Sequence, residues 1–134
     1  MMLINKKQSE KVNGMKINEV SLQFKISQDT LRYYEKIGLL GPILKDKCGN
    51  RDYRDKDIQR LKFLKCMREA GLSIQVLQEY IALYNQGDKT REERRNLLIS
   101  QRDHLIEKKA CIQKSIEQLN HKIENDEELL NKHI

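Results

Sequence analysis

Thr30-Leu31-Arg32-Tyr33-Tyr34-Glu35-Lys36-Ile37-Gly38-Leu39-Leu40 is the stretch on which the reading of this chain turns. It sits in a short helical pattern that stops at Gly38 and places two adjacent tyrosines behind an arginine. An arginine offers a planar fork to a phosphate or to a guanine edge, and a phenol hydroxyl can donate to a phosphate oxygen. Leu31 and Tyr34 fall on one face at helical spacing, so one tyrosine is expected to be partly buried and the other to face outward. Taken alone, such a pair is more often a packing feature. Its surroundings decide.

Upstream, Ile17, Val20 and Phe24 lie at helical spacing and mark a short helix from Lys16 to Phe24. Ser27 is a good N-cap for a second helix from Gln28 to Ile37, and Asp29 complements its positive end. Only Lys25, Ile26 and Ser27 separate the two, which is a helix-turn-helix pattern. Downstream, Gly41-Pro42 forces an extended segment, and Ile43-Leu44, a turn at Lys47-Cys48-Gly49-Asn50, and Arg51 to Tyr53 read as a small hairpin. A third helix starts at Asp55 or Asp57 and runs to Gly71, with apolar residues on more than one stripe. Ser73 caps a fourth, which closes at Gly87.

From about Thr90 to the end there is neither glycine nor proline. Leu98, Leu105, Ile112 and Leu119 recur every seven residues, and Ile116, Ile123 and Leu130 form a companion series. Steps of four, three and four through Ile112, Ile116, Leu119 and Ile123 are those of a coiled-coil seam. A helix of about forty residues is about 60 Å long. A domain of this size has no room to bury it, so a second copy is the simplest partner and these six apolar positions, Leu98 to Ile123, are the candidate dimer interface. The fold class is therefore mainly α. Residues 1–14 read as a disordered arm, 15–87 as the helix-turn-helix domain and 88–134 as the dimerisation helix.

Composition agrees. The chain has 134 residues and a net charge of +6, and the charge is uneven. Residues 15–72 hold 13 Lys/Arg against 8 Asp/Glu, whereas residues 73–134 hold 10 against 11, which suits phosphate binding at one end only. No run is apolar enough for a bilayer and residues 1–14 carry no apolar signal core, so the expectation is a soluble cytoplasmic protein. The three cysteines, Cys48, Cys66 and Cys111, lie in separate segments without C-x-x-C or zinc spacing, and read as free thiols. No nucleophile–base pair, phosphate loop or carboxylate cleft suggests an enzyme, and no cofactor or metal is expected.

Ile17 to Leu40, then Gly49-x-Arg51-x-Tyr53, Asp57-Ile58 and Ala70-Gly71-Leu72-Ser73, closely resemble the MerR family of bacterial transcription regulators, in order over residues 15 to about 87. The resemblance implies a winged helix-turn-helix and an antiparallel coiled-coil homodimer. It also implies a pseudo-palindromic double-stranded promoter, distorted so that RNA polymerase can engage it. Carried over by position, Gln28, Asp29, Thr30, Arg32 and Tyr33 resemble recognition-helix contacts, with Tyr34 a helper to that helix. Arg51 and Tyr53 resemble wing contacts to the DNA backbone. The chain departs from the family pattern at Asn50, where an aromatic is usual, and at Lys25, where glycine is common.

The input signal needs a separate argument. The chain ends with its coiled coil, which leaves no large ligand domain, and nothing after Cys111 has the spacing of a metal-sensing loop. His104, His121 and His133 read as solvated coil residues. Cys66, within Lys65-Cys66-Met67-Arg68 and one turn after Lys62, has cations that favour a reactive thiolate, while burial would make it a small core residue. The segment from Lys65 to Ile74, with Tyr80 to Tyr84, also resembles the family branch that responds to aldehydes and related electrophiles, which carries a cysteine here. That makes Cys66 the candidate thiol sensor, with Cys48 and Cys111 incidental. The competing readings are a regulator with another small-molecule or metal input, and an architectural DNA-binding protein, against which the long helix speaks.

Overall fold

A computed structural model of the chain describes residues 14–133, with side chains to residue 125. The arm expected over residues 1–14 therefore lies, except for Gly14, outside the described residues, as do the side chains of Leu130 and His133. Among the described residues five α-helices follow one another: α1 (Ile17–Phe24), α2 (Gln28–Lys36), α3 (Asp55–Glu69), α4 (Ile74–Asn85) and, after a 3-10 turn at Asp88–Thr90, α5 (Arg91–His133). The chain divides into two units, Met1–Thr90 and Arg91–Ile134.

In the first unit each helix start has a local cause. The Glu19 carboxylate accepts the Lys16 N–H at 2.8 Å and so closes the first turn of α1. Ser27 Oγ accepts from Thr30 N and Ser73 Oγ from Val76 N, both at 3.1 Å, as the N-cap reading of those two serines expects. At α3 the cap is Asp57, which accepts the Arg54 N–H at 2.9 Å. The tight turn between α1 and α2 comes at a backbone cost. Lys25 sits at φ 57°, ψ 43°, the one left-handed non-glycine among the described residues. Its conformation lets Ile26 N–H reach Ser21 O, while the Ser21 hydroxyl donates to Ile26 O at 2.6 Å. The side chain of Lys65 on α3 donates to the Phe24 carbonyl at the end of α1.

The core unites Val20 and Phe24 of α1, Leu31 and Tyr34 of α2, Leu39, Leu40 and Ile43 of the segment after α2, Leu61 and Leu64 of α3, and Leu77 and Ile81 of α4. Each fully buried leucine contributes about 1.5–3 kcal/mol. Burial on α3 is narrower than its sequence suggests. Leu61 and Leu64 are buried, Ile58, Phe63 and Met67 are half-buried, and Cys66 is exposed.

The expected hairpin contracts to a closed turn. Two isolated bridges, Lys45–Arg51 and Met15–Tyr53, replace its strands. Asp46 explains why: one carboxylate oxygen accepts from Cys48 N and Asn50 N, both at 2.9 Å, and the other pairs with Lys16. An Asx-type turn of this kind satisfies the backbone locally and leaves little for a ladder. Gly14 joins the fold as well, donating its N–H to Asp52 Oδ1 at 2.7 Å. A Cβ there would stand 2.1 Å from the Tyr53 carbonyl oxygen, so the close approach demands glycine.

The second unit is a single long helix with a break at Asn125, whose φ of −117° is not helical. Its apolar series faces solvent in the single chain. Leu105 is 38% exposed, Ile112 55%, Ile116 45%, Leu119 61% and Ile123 73%, while Leu98 is half-buried.

Candidate nucleic-acid interface

Helix α2 presents a polar face to solvent and an apolar face to the core. Asp29 and Arg32 are exposed, Tyr33 is 49% exposed, and Gln28 and Thr30 are half-buried, whereas Tyr34 is buried beside Leu31. The two tyrosines divide as the helical spacing expects, with Tyr33 outward and Tyr34 inward. The Arg32 guanidinium is held along the helix by Asp29 Oδ1 at 3.1 Å and Gln28 Oε1 at 3.3 Å. An ion pair this exposed is weak, so a phosphate or base edge can take it over at little cost.

The turn after α2 is fastened to that helix by Glu35, a residue the sequence offers no reason to single out. Glu35 Oε1 accepts Arg51 Nε at 2.7 Å, and Oε2 accepts the Ile43 N–H at 3.2 Å. Arg32, Lys36 and Arg51 thereby line a common cleft with Glu35. The Glu35 carboxylate thus draws a basic side chain of the wing turn, Arg51, to the helix surface that carries Arg32. Asp46 and Lys16 pair at the turn itself. That pair holds the Asp46 carboxyl below the usual carboxylate range and the Lys16 ammonium above its own.

Tyr53 departs from the expectation. Its side chain is 1% exposed and its hydroxyl is buried without a hydrogen-bond partner among the described residues. Burial pushes its phenol upward in pKa. In a regular strand Arg51 and Tyr53 would share a face. No regular strand forms here; Arg51 stays partly exposed while Tyr53, whose backbone pairs with that of Met15, enters the core. It belongs to the packing of the wing and is removed from the contact set.

The three thiols are free and exposed, including Cys66 on α3, which therefore fills no core space within this unit. Among the described residues no group of His, Cys, Asp and Glu is arranged to hold a metal ion, and no helix is long and apolar enough to cross a membrane.

A short-turned pair of helices, an outward Arg-Tyr on the second and a basic turn locked to it define a helix-turn-helix DNA-binding protein. The chain belongs to the MerR family. The profile described as MerR HTH family regulatory protein matches residues 15–83, and a second, described as MerR, DNA binding, matches residues 58–122. The chain is 48% identical over 93 residues to the HTH-type transcriptional regulator AdhR of Bacillus subtilis (strain 168), covering 69% of this chain and 66% of that one. Its fold superposes on the crystal structure of a MerR family transcriptional regulator from Listeria monocytogenes with TM-score 0.75 and 39% identity, over 84% and 85% of the two chains. HiNmlR, a MerR family regulator lacking the sensor domain and crystallised bound to promoter DNA, gives TM-score 0.70 and 31% identity over 81% and 86%. The chain is thus a DNA-binding transcription regulator, not an enzyme.

Proposed function

We propose that the chain is a cytoplasmic regulator that binds a pseudo-palindromic promoter as a homodimer and distorts it for RNA polymerase in response to an electrophile. The observation that carries the DNA part is the Glu35 clasp, which ties the wing turn to α2. There Gln28, Asp29, Thr30, Arg32 and Tyr33 meet bases and phosphates, Arg51 meets the backbone, and Tyr34 holds the helix from beneath. Two such units are joined through the exposed series of α5, from Leu98 to Ile123.

Cys66 receives the signal. Its exposure on α3, with Lys62 one turn away, leaves the thiol open to an aldehyde or another electrophile. The thiol proton passes to solvent, the thiolate adds to the aldehyde carbon as the C=O π bond opens, and the resulting alkoxide takes a proton from solvent, leaving a hemithioacetal with no other group released. The added bulk lies on the helix that packs α1 and α4, so it biases the geometry of the DNA-reading unit. A bias of ~1.4 kcal/mol shifts a two-state population ratio tenfold. Footprinting the promoter upstream of the chain's own gene, with and without a thiol-reactive aldehyde, tests the whole reading. A symmetric footprint whose distorted centre changes with aldehyde, and no longer changes in Cys66→Ser, is the expected result. A response retained in Cys66→Ser moves the input elsewhere.

A further inference from the structure

A cleft of about 550 Å³ is lined by residues of α3 and α4, with Gly41 and Pro42 also at its wall. That volume is in the range of small-molecule sites, roughly 300–1,000 Å³. Three aromatic rings form its walls. Phe63 of α3 stacks on Tyr80 of α4 with ring centroids 5.0 Å apart and 29° between their planes. Tyr84, half-exposed, carries the Arg60 guanidinium 5.3 Å from its ring centroid. Arg60 and Lys56 are the cations of the lining and Asp57 its carboxylate. Two cations against one carboxylate, itself buried and engaged by the Arg54 N–H in the α3 cap, leave the lining a positive surplus. None of these side chains belongs to the DNA-contact set.

We propose that this cleft binds a small aromatic carboxylate, its ring among Phe63, Tyr80 and Tyr84 and its carboxylate on Arg60. Flat aromatic walls suit a planar apolar body by stacking, and a guanidinium takes a carboxylate through paired hydrogen bonds. An aromatic cation fits worse, because Arg60 already lies over the Tyr84 ring and repels it. Arg60 also lines the neighbouring cleft that holds Arg32, Glu35 and Arg51. A carboxylate at Arg60 adds negative charge beside the surface that meets phosphate, so ligand and operator oppose each other, and by linkage the effect is reciprocal. This coupling rests on the DNA contacts proposed above; the pocket itself does not.

The test titrates 2-naphthoate into the intact chain without DNA and follows the fluorescence polarisation of the probe. Saturable binding of one molecule per chain is expected, with Kd below about 1 mM. Arg60→Gln and the uncharged 2-naphthamide should each weaken it at least roughly tenfold, as loss of a charge-assisted pair does. Phe63→Leu should weaken it too, and Arg60→Gln, a partly exposed site, keeps the test open if that variant fails to fold. With labelled operator, 2-naphthoate should lower the affinity of the parent chain several-fold and leave Arg60→Gln unaffected. Binding without an effect on operator overturns only the coupling. The pocket assignment is overturned by no saturation at ~1 mM, by unchanged binding in Arg60→Gln, or by tighter binding of 2-(aminomethyl)naphthalene. It is overturned as well if Phe63→Asp with Tyr84→Asp turns a dimer into monomers, which assigns the groove to a second copy.

Discussion

Arg51 Nε donates to Glu35 Oε1 across 2.7 Å, joining the wing turn to the recognition helix over a separation of 16 residues. Both side chains are partly exposed, so solvent screens the pair and its intrinsic contribution is about 1 kcal/mol or less. Its larger consequence is geometric, because the same carboxylate also holds Ile43 N. Glu35→Gln should weaken operator binding modestly, by about 0.5–1.5 kcal/mol. The effect should shrink in an Arg51→Ala background, a coupling that a double-mutant cycle by fluorescence anisotropy reads directly. Strict additivity would mean that Glu35 does not position Arg51.

Tyr53→Phe separates a core role from a DNA role. The hydroxyl is buried without a partner among the described residues, and such a group costs about 1–3 kcal/mol. Its removal should therefore stabilise the protein, by roughly 1 kcal/mol in denaturant titrations, and leave operator affinity as it was. The alkaline limb of stability should change as well. The folded phenol lies above its ordinary value, so the unfolded chain ionises first. Stability attached to this group is complete below the unfolded pKa near 10 and falls as pH rises past it. Tyr53→Phe should lose that component of the decline. A drop in operator affinity would return Tyr53 to the contact set.

Arg32→Ala should weaken specific binding by roughly 1–3 kcal/mol if the guanidinium leaves Asp29 for a base edge. Tyr33→Phe should cost less, since one hydroxyl is lost. Arg51→Ala should weaken specific and non-specific binding together and lower the slope of log K against log salt by about 0.9. Anisotropy at several fixed salt concentrations checks all three. An unchanged affinity in Arg32→Ala would remove it from the interface.

Ile112 and Leu119 are more than half exposed in the single chain, at 55% and 61%. Burying them against a second copy gains about 1.5–3 kcal/mol for each side chain. Replacing both by glutamate should leave a monomer in sedimentation velocity, with the helix-turn-helix unit still folded by circular dichroism. A dimer that survives both substitutions would place the interface elsewhere.

Several features are written in short stretches of sequence. Ser27 and Ser73 mark helix starts because a cap is a contact between residues three apart, and Gly38 ends α2 because its φ of 86° suits glycine. The inward Tyr34 and outward Tyr33 follow from helical spacing and one apolar face. Asp46 was legible in principle, since an aspartate two residues before the tip of a turn is an Asx signal.

The remainder depends on residues that meet only after folding. The Arg51–Glu35 pair, the Gly14–Asp52 contact and the Phe63–Tyr80 stack join separate segments, and no periodicity records them. Tyr53 and Cys66 make the same point in opposite directions. Sequence alone put Tyr53 at a surface and left Cys66 between core and solvent. Packing buried the first and left the second exposed on α3. Burial is decided by what covers a side chain, and the cover comes from other elements of the chain. Local sequence determined which helices form and where they stop; tertiary structure decided which of their side chains are covered and which stay exposed.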